Sequence, residues 1–386
     1  MCIRKVVEMH LSKTELKGKF LARRLFDGTG GPERNDILIE IEDGRFTRIA
    51  PYRRSDSVQS VEEYDIVTPG LIDLQINGAN DVQFNNDTSS SAIRKISEGA
   101  AKGGTAWILP TFVTSNGTNY LEAIDGVRNA LDAGIPGILG VHLEGPFLSP
   151  YRPGIHPREA IRPLSEEDVN NLAQPFPGKI LVTLAPEEQS PAVIAKLTDA
   201  AVTVFAGHTE ATFAEMEAAK SEGLRGVTHL FNAMSQMQGR EPGVVGSVLG
   251  GGLYAGIIAD GFHVHWNNIA LAINVMPDHL CLVTDAMCTL AGTHSEFQFF
   301  DEHIFLSGGK LSNAQGTLAG AHIAMDGSLR NIIDKGIASP QIAVKLASRN
   351  PAAALGMGAD LGQVNEGYRA SLSLFDQDFC AKAVIR

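Results

Sequence analysis

From Ile66 onward the chain alternates short apolar runs with longer polar stretches whose apolar residues recur every three to four positions. Apolar runs of four to eight residues between turn formers predict buried strands, and the amphipathic stretches predict helices. Eight strands are expected: LIDLQIN near 71–77, TAWILPTF at 105–112, ILGVHLE at 138–144, ILVTLAPE at 180–187, VTVFAGH at 202–208, GVTHLFN at 226–232, YAGIIAD at 254–260 and LCLVTDA at 280–286. Helices are expected over 89–103, 118–133, 165–173, 190–200, 211–222, 265–275, 322–335 and 340–355. Strand and helix in alternation mark an α/β chain with a parallel sheet. Eight repeats suffice to close a (β/α)8 TIM barrel, whereas open doubly wound sheets usually stop at five or six.

The two ends read differently. GKFLARRLFDGTG, DILIEIEDGRFTRIAP and EEYDIVTPG are strand-like pieces separated by turns, and EGYRASLSLFDQDFCAKAVIR returns to alternating strand character. The segment FQFFDEHIFLSGGKLSNAQGTLAG, after the eighth strand, is hairpin-like as well. The simplest arrangement is a small β-sandwich built from both termini, residues 1–66 and 359–386, around a barrel spanning 67–358.

Composition narrows the class. The 386 residues are 44% hydrophobic and 20% charged, with 40 glycines, which suits a folded enzyme with an ample core. A net charge of −12 argues against nucleic acid or an anionic membrane as the main partner, though not against an anionic small molecule in a local basic pocket. Cys2, Cys281, Cys288 and Cys380 form no CxxC pair, and no secretory leader or membrane-length apolar stretch is evident. The cytoplasm is the expected compartment.

The chemistry sits at strand ends. Glu144, His208, His229 and Asp285 each follow an apolar run, and in a barrel those ends open onto one face. Three nitrogen or oxygen ligands leave a position open for water, as catalytic metal sites require. His208 and His229 are 21 residues apart, about one strand–helix–strand step, so neighbouring strands can present both imidazoles to one ion. Asp285 could be a ligand, a base or a cap. The base reading leads, because three ligands suffice and an acidified water needs a nearby acceptor. His142 lies two residues before Glu144 on the same strand face, one layer deeper, as a supporting or packing histidine.

Many barrel metallohydrolases carry a His-x-His pair on the first strand. Here Gln75 and Asn77 stand in that place, and neutral amides are poor ligands, so one metal site is expected instead of two. Arg240, His263 and the backbone of Asn232 and Ala233 fall on the same barrel face and form a candidate anion site, while His265 should be exposed at a helix start. His156, in the Gly/Pro-rich loop RPGIHPRE, suits a mobile substrate contact or an oxyanion donor; equally, it could be a loop histidine without a role.

In order along the chain, TPGLIDLQING, VQFNN, HLEGPF, GIHP, LAPE, AGHTEAT, THLFNAM, GREPG, IADGFHV, LVTDAM and GTLAG resemble the motifs of the N-acetylglucosamine-6-phosphate deacetylases of the amidohydrolase superfamily. The resemblance implies hydrolysis of the acetamide of N-acetyl-D-glucosamine 6-phosphate in amino sugar catabolism. It implies one divalent ion, zinc or iron, on Glu144, His208 and His229, with Asp285 as acid–base residue and His156 on the acetamido carbonyl. It further implies that Asn232, Ala233, Arg240 and His263 bind the sugar phosphate, Arg240 reaching across from the partner subunit of a homodimer. Ile155, Asp260, Leu318, Ala319 and Gly320 match positions lining the sugar pocket. The Gln75-x-Asn77 pair matches the single-metal branch. The end of the chain departs, reading GYRASLSLFDQDF and stopping at Arg386 where relatives carry a Lys, an Ala-Asp or Ala-Asn pair and a further strand. An epimeric acetamido sugar phosphate such as N-acetylgalactosamine 6-phosphate is the nearest alternative substrate. A non-catalytic amino sugar phosphate sensor is the remote one, since a sensor needs no proton-transfer carboxylate.

Overall fold

A computed structural model of the chain describes residues 7–9 (backbone only), 17–53 and 61–386. The chain separates into two compact units. One comprises Leu74–Gly99 and Ile108–Ile323; the other draws on Met1–Asp73, Ala100–Trp107 and Ala324–Arg386.

Eight strands follow one another in sequence order in a single sheet: Leu71–Ile76, Thr105–Val113, Gly140–Glu144, Lys179–Leu184, Thr203–Ala206, Gly226–Val227, Tyr254–Ile258 and Leu280–Val283. Successive pairs are parallel, and the strands are buried almost throughout. Their β-branched, apolar runs are those of a sheet covered on both faces. The last strand returns to the first: the Asp285 amide donates to the Gln75 carbonyl at 2.9 Å and the Asn77 amide to the Ala286 carbonyl at 2.8 Å. These bonds bring the ends of the first and eighth strands side by side, as in a TIM barrel.

Helices fill the crossovers where the amphipathic stretches predict them. Two start on capping boxes: Ser165 with Asp168 opens Glu166–Leu172, and Thr212 with Glu215 opens Phe213–Ser221. Each box satisfies two otherwise orphaned amide donors. One helix, Gly243–Leu249, has no counterpart among the sequence-based expectations. Its GVVGSVL text is apolar on most sides and glycine-rich, so no amphipathic period marks it; burial of Val244, Val245 and Val248 holds it in place.

The sixth strand is shorter than expected, Gly226–Val227 instead of 226–232. Beyond it the backbone turns left-handed at His229 (φ 32°), Phe231 (φ 79°) and Ala233 (φ 45°), conformations a ladder cannot continue through. His208 (φ 49°) and Asp285 (φ 50°) end the fifth and eighth strands in the same way. The hairpin-like segment after the eighth strand forms a three-stranded antiparallel meander, Glu296–Phe299, Glu302–Ser307 and Lys310–Ser312. Phe299, Ile304, Leu311 and Ala319 share a buried cluster with Val113 and Met287.

In the other unit, both ends of the chain meet in one seven-stranded sheet, ordered Val7–Met9, Ala381–Ile385, Leu372–Phe375, Glu62–Pro69, Gly18–Leu25, Arg34–Glu42 and Arg45–Pro51. Inward positions of these strands, among them Phe20, Ile39, Phe46, Val67, Leu372 and Leu374, form its core. The unusual C-terminal text thus ends in a strand flanked on both sides. Among the described residues no helix is long and apolar enough to cross a membrane.

Candidate active site

Glu144 ends the third strand with its side chain buried. Its Oε1 lies 2.9 Å from His229 Nε2 and 3.2 Å from His208 Nε2, and those two nitrogens are 3.0 Å apart. His208 Nδ1 is 2.9 Å from the Arg152 carbonyl, which can only accept, so Nδ1 carries the proton and Nε2 of the neutral ring is bare. A carboxylate oxygen and two imidazole Nε2 atoms therefore converge on one point. Ligand atoms about 2.0–2.1 Å from a tetrahedral ion sit about 3.4 Å from each other, close to these spacings. The set fits a divalent cation. His229 Nδ1 is buried without a hydrogen-bond partner, so the outer support that metal-bound imidazoles usually have is present for His208 alone.

Burial opposes the Glu144 charge, but the adjoining imidazoles of His208 and His229 outweigh it and hold the carboxyl well below its usual range. His229 is pushed down by burial and drawn up more strongly by Glu144, so its balance is upward. His156 is held well below its ordinary value, by burial first and then by the charge of His208.

Asp285 stands next to this triad, joined through the two amides of the first strand. Gln75 Nε2 donates to Glu144 Oε2 and to Asp285 Oδ1, both at 3.1 Å, and Asn77 Nδ2 donates to Asp285 Oδ1 at 2.7 Å. The amides that replace the His-x-His pair thus orient the two carboxylates. Burial, reinforced by the Glu144 charge, pushes the Asp285 carboxyl up to about 6. A carboxylate so placed is a proton acceptor poised near neutrality.

His156 is buried at the end of its loop, with its ring centroid 4.2 Å from that of His208 and Nδ1 2.7 Å from the Thr114 hydroxyl. It also forms, with Glu144 and His208, a group of potential ligand atoms within 4.8 Å of one another. The contacts of 2.9 and 3.0 Å made by His229 are tighter, so Glu144, His208 and His229 form the more closely set trio. His142 lies deeper, with Nδ1 3.2 Å from the Thr111 hydroxyl and Nε2 2.7 Å from that of Thr183. Both ring nitrogens are occupied, and burial pushes its pKa down to about 4, so it is a neutral packing residue.

Asn77, Glu144, His156, His208, His229 and Asp285 border a cavity of about 230 Å³. Ile155, Asn232, Ala233, His263, Leu318 and Gly320 also line it. Three of the positions expected to bind the substrate do not. Ala319 is fully buried in the meander cluster. Asp260 sits behind His263, its Oδ2 2.6 Å from His263 Nδ1, and fixes that ring. Arg240 is exposed. Exposed His265 caps Trp266–Val275, its Nδ1 accepting from the Asn267 amide at 3.2 Å. The cavity also draws on Val113, Met287 and Phe299, which sequence reasoning did not mark. Met287 lies beyond the end of the eighth strand and past the left-handed turn at Asp285, where strand alternation no longer applies; Phe299, on the meander, carried no signal either.

Residues 66–385 match the sequence profile of the Amidohydrolase family. The chain belongs to the amidohydrolase family. Within it, the chain is 35% identical to the N-acetylglucosamine-6-phosphate deacetylase of Haemophilus influenzae, over 81% of this chain and 83% of that protein. It is likewise 35% identical to the N-acetylgalactosamine-6-phosphate deacetylase of Shewanella sp., over 91% of this chain and 90% of that one. The crystal structure of N-acetylglucosamine-6-phosphate deacetylase from Pasteurella multocida superposes with a TM-score of 0.88 at 32% identity, covering 95% of this chain and 97% of that one. The barrel of this amidohydrolase and its terminal sheet are therefore the architecture of a solved deacetylase.

Proposed function

We propose that the chain hydrolyses the acetamide of N-acetyl-D-glucosamine 6-phosphate, giving D-glucosamine 6-phosphate and acetate, in cytoplasmic amino sugar catabolism. The convergence of Glu144 Oε1, His208 Nε2 and His229 Nε2 within 3.2 Å of one another, beside the amide-held Asp285, carries this reading. Those three residues would hold one divalent ion per chain, zinc or iron. When bound, such an ion acidifies a water and polarises a carbonyl oxygen.

The residues then divide the work. Asp285 accepts a proton from the attacking water as the new bond forms to the acetamido carbon. Charge moves onto the carbonyl oxygen, and His156 meets it as a donor. Thr114 Oγ1 carries a single proton and lies 2.7 Å from His156 Nδ1 and 3.2 Å from the Glu144 carbonyl oxygen. Given to His156, it leaves Nε2–H free to point at the oxyanion. Asp285 returns its proton to the nitrogen as the C–N bond breaks, because an unprotonated amine is a poor leaving group. Acetic acid and the amine result, the acid's proton passing to the amine to give acetate and an ammonium group, and the Asp285 carboxylate is restored.

The sugar phosphate is read by His263, braced by Asp260, with Asn232 and Ala233 beside it. Arg240 supplies a further cation from the neighbouring subunit of a homodimer, which accounts for a basic motif lying exposed on its own chain. The galacto epimer is a second reading, favoured by equal identity to relatives of both names.

An acetate-release assay on metal-analysed protein tests the proposal, with gluco- and galacto-configured acetamido sugars, each with and without the 6-phosphate. Turnover confined to the phosphorylated sugars is expected. Failure to release acetate from all of them would refute the deacetylase reading.

A further inference from the structure

The cavity has two chemically different sides. Asn232, Ala233 and His263 follow the sixth and seventh strands, whereas Val113 ends the second and Ile155 lies in the loop after the third. In an eight-stranded barrel the second and third strands stand across from the sixth and seventh. Met287, Phe299 and Leu318 also line the cavity, from the segments after the eighth strand. Val113, Met287 and Phe299 belong to one cluster, packed with Ile155 and backed by Ile304, Leu311 and Ala319. Val113, Met287 and Phe299 are each less than 5% exposed, so this side is closed as well as apolar.

We infer that this wall is the acyl pocket, and that Met287 and Leu318 limit it to a two-carbon acyl group. The inference rests on the deacetylase reading. Asp285 marks the nitrogen of the scissile bond, and the amine leads from there toward His263 and the phosphate. The remaining substituent of the carbonyl carbon must point away from that side, toward the apolar one. Met287 cannot swing aside freely. Its amide donates to the Ala321 carbonyl at 3.1 Å, and its side chain passes so close to Gly320 that a Cβ there would lie 2.7 Å from Met287 Cγ. An added methylene therefore meets a buried side chain already packed against Gly320. Leu318, half-buried, lines the same cavity.

The test is a series of hexosamine 6-phosphates bearing N-acetyl, N-propionyl and N-butyryl groups, assayed with the wild type, Met287→Ala and Leu318→Ala. One methylene in an apolar pocket is worth about 10–200-fold in kcat/KM, so the wild type should lose at least about tenfold at propionyl and more at butyryl. Either variant should shrink the acetyl-to-butyryl ratio by about tenfold or more. Leu318→Ala, at a partly exposed site, keeps the experiment decisive if Met287→Ala unfolds. Folded variants that leave the ratio unchanged would overturn the inference, as would a wild type indifferent to chain length. If the wild type cleaves none of the series, the deacetylase reading has failed. Calorimetric binding of the same sugars then decides the pocket: chain-length discrimination relaxed by Leu318→Ala supports it, and flat or absent binding overturns it.

Discussion

Replacing Asp285 by Asn should damage catalysis and strengthen the fold at the same time. Asn matches the shape of Asp, and its Oδ1 can keep both bonds now accepted from Gln75 at 3.1 Å and Asn77 at 2.7 Å. What disappears is the capacity to take a proton. Acid–base groups contribute about 10²–10⁴-fold; this one acts twice per cycle, so a loss of about 10³–10⁴ in kcat is expected. Stability moves the other way. Burial and Glu144 push the Asp285 carboxyl up to about 6, against about 3.9 in an unfolded chain. Between those values the folded protein keeps a proton that the unfolded chain releases, so stability falls as pH rises through about 4 to 6 and stays reduced above. At about 1.4 kcal/mol per pKa unit, the deficit at neutral pH is on the order of 2–3 kcal/mol. Asn carries no charge and escapes it. Metal-free Asp285→Asn should melt a few degrees above metal-free wild type at pH 8, the gap closing toward pH 4. Acetate-release kinetics and thermal melts in chelator measure both effects. A variant keeping more than about a tenth of wild-type kcat, or melting lower than wild type at pH 8, refutes the reasoning. Loss of bound metal by the variant would make Asp285 a ligand.

Elemental analysis of purified protein should find close to one divalent ion per chain, and His229→Gln should reduce it to a small fraction while circular dichroism stays native. Arg240→Ala should raise KM for the phosphorylated sugar strongly and barely alter any weak turnover of the unphosphorylated one; equal losses on both would remove Arg240 from phosphate binding. Gly320→Ala forces a left-handed backbone (φ 61°) on a residue with a Cβ and sets that carbon 2.9 Å from the Asp285 carbonyl. A destabilisation of at least about 1–2 kcal/mol should appear as a lowered melting temperature, accompanied by reduced kcat.

The barrel was legible because its strands are apolar runs of the right length between amphipathic stretches, and four of the eight runs carry a titratable residue at or near their end. That pattern singled out Glu144, His208, His229 and Asp285, which lie close together in the fold. Gly243–Leu249 escaped because a short helix buried on most sides has no amphipathic period to detect. The sixth strand was overextended because THLF is as apolar as a strand, and nothing in its text announces the left-handed turn at His229. Asp260 was placed on the sugar, but three residues suffice for its carboxylate to fold back onto the His263 ring instead. Phe299 was invisible for a different reason: it reaches the cavity through packing of the meander, a tertiary relation no local window contains.

The left-handed backbone at His208, His229 and Asp285 also limits how this protein can change. A β-branched residue at any of these positions meets a steric penalty of about 1–2 kcal/mol before its chemistry is considered, whereas Asn, Asp and Gly are tolerated. Drift by single substitutions is thereby funnelled toward a few small polar or flexible side chains at three of the four central positions. Glu144 lies on regular strand backbone, outside the left-handed set, and accepts a wider choice. A descendant that altered its metal preference would be expected to do so first there, or at Gln75 and Asn77 on the first strand, where the main chain places no comparable restriction.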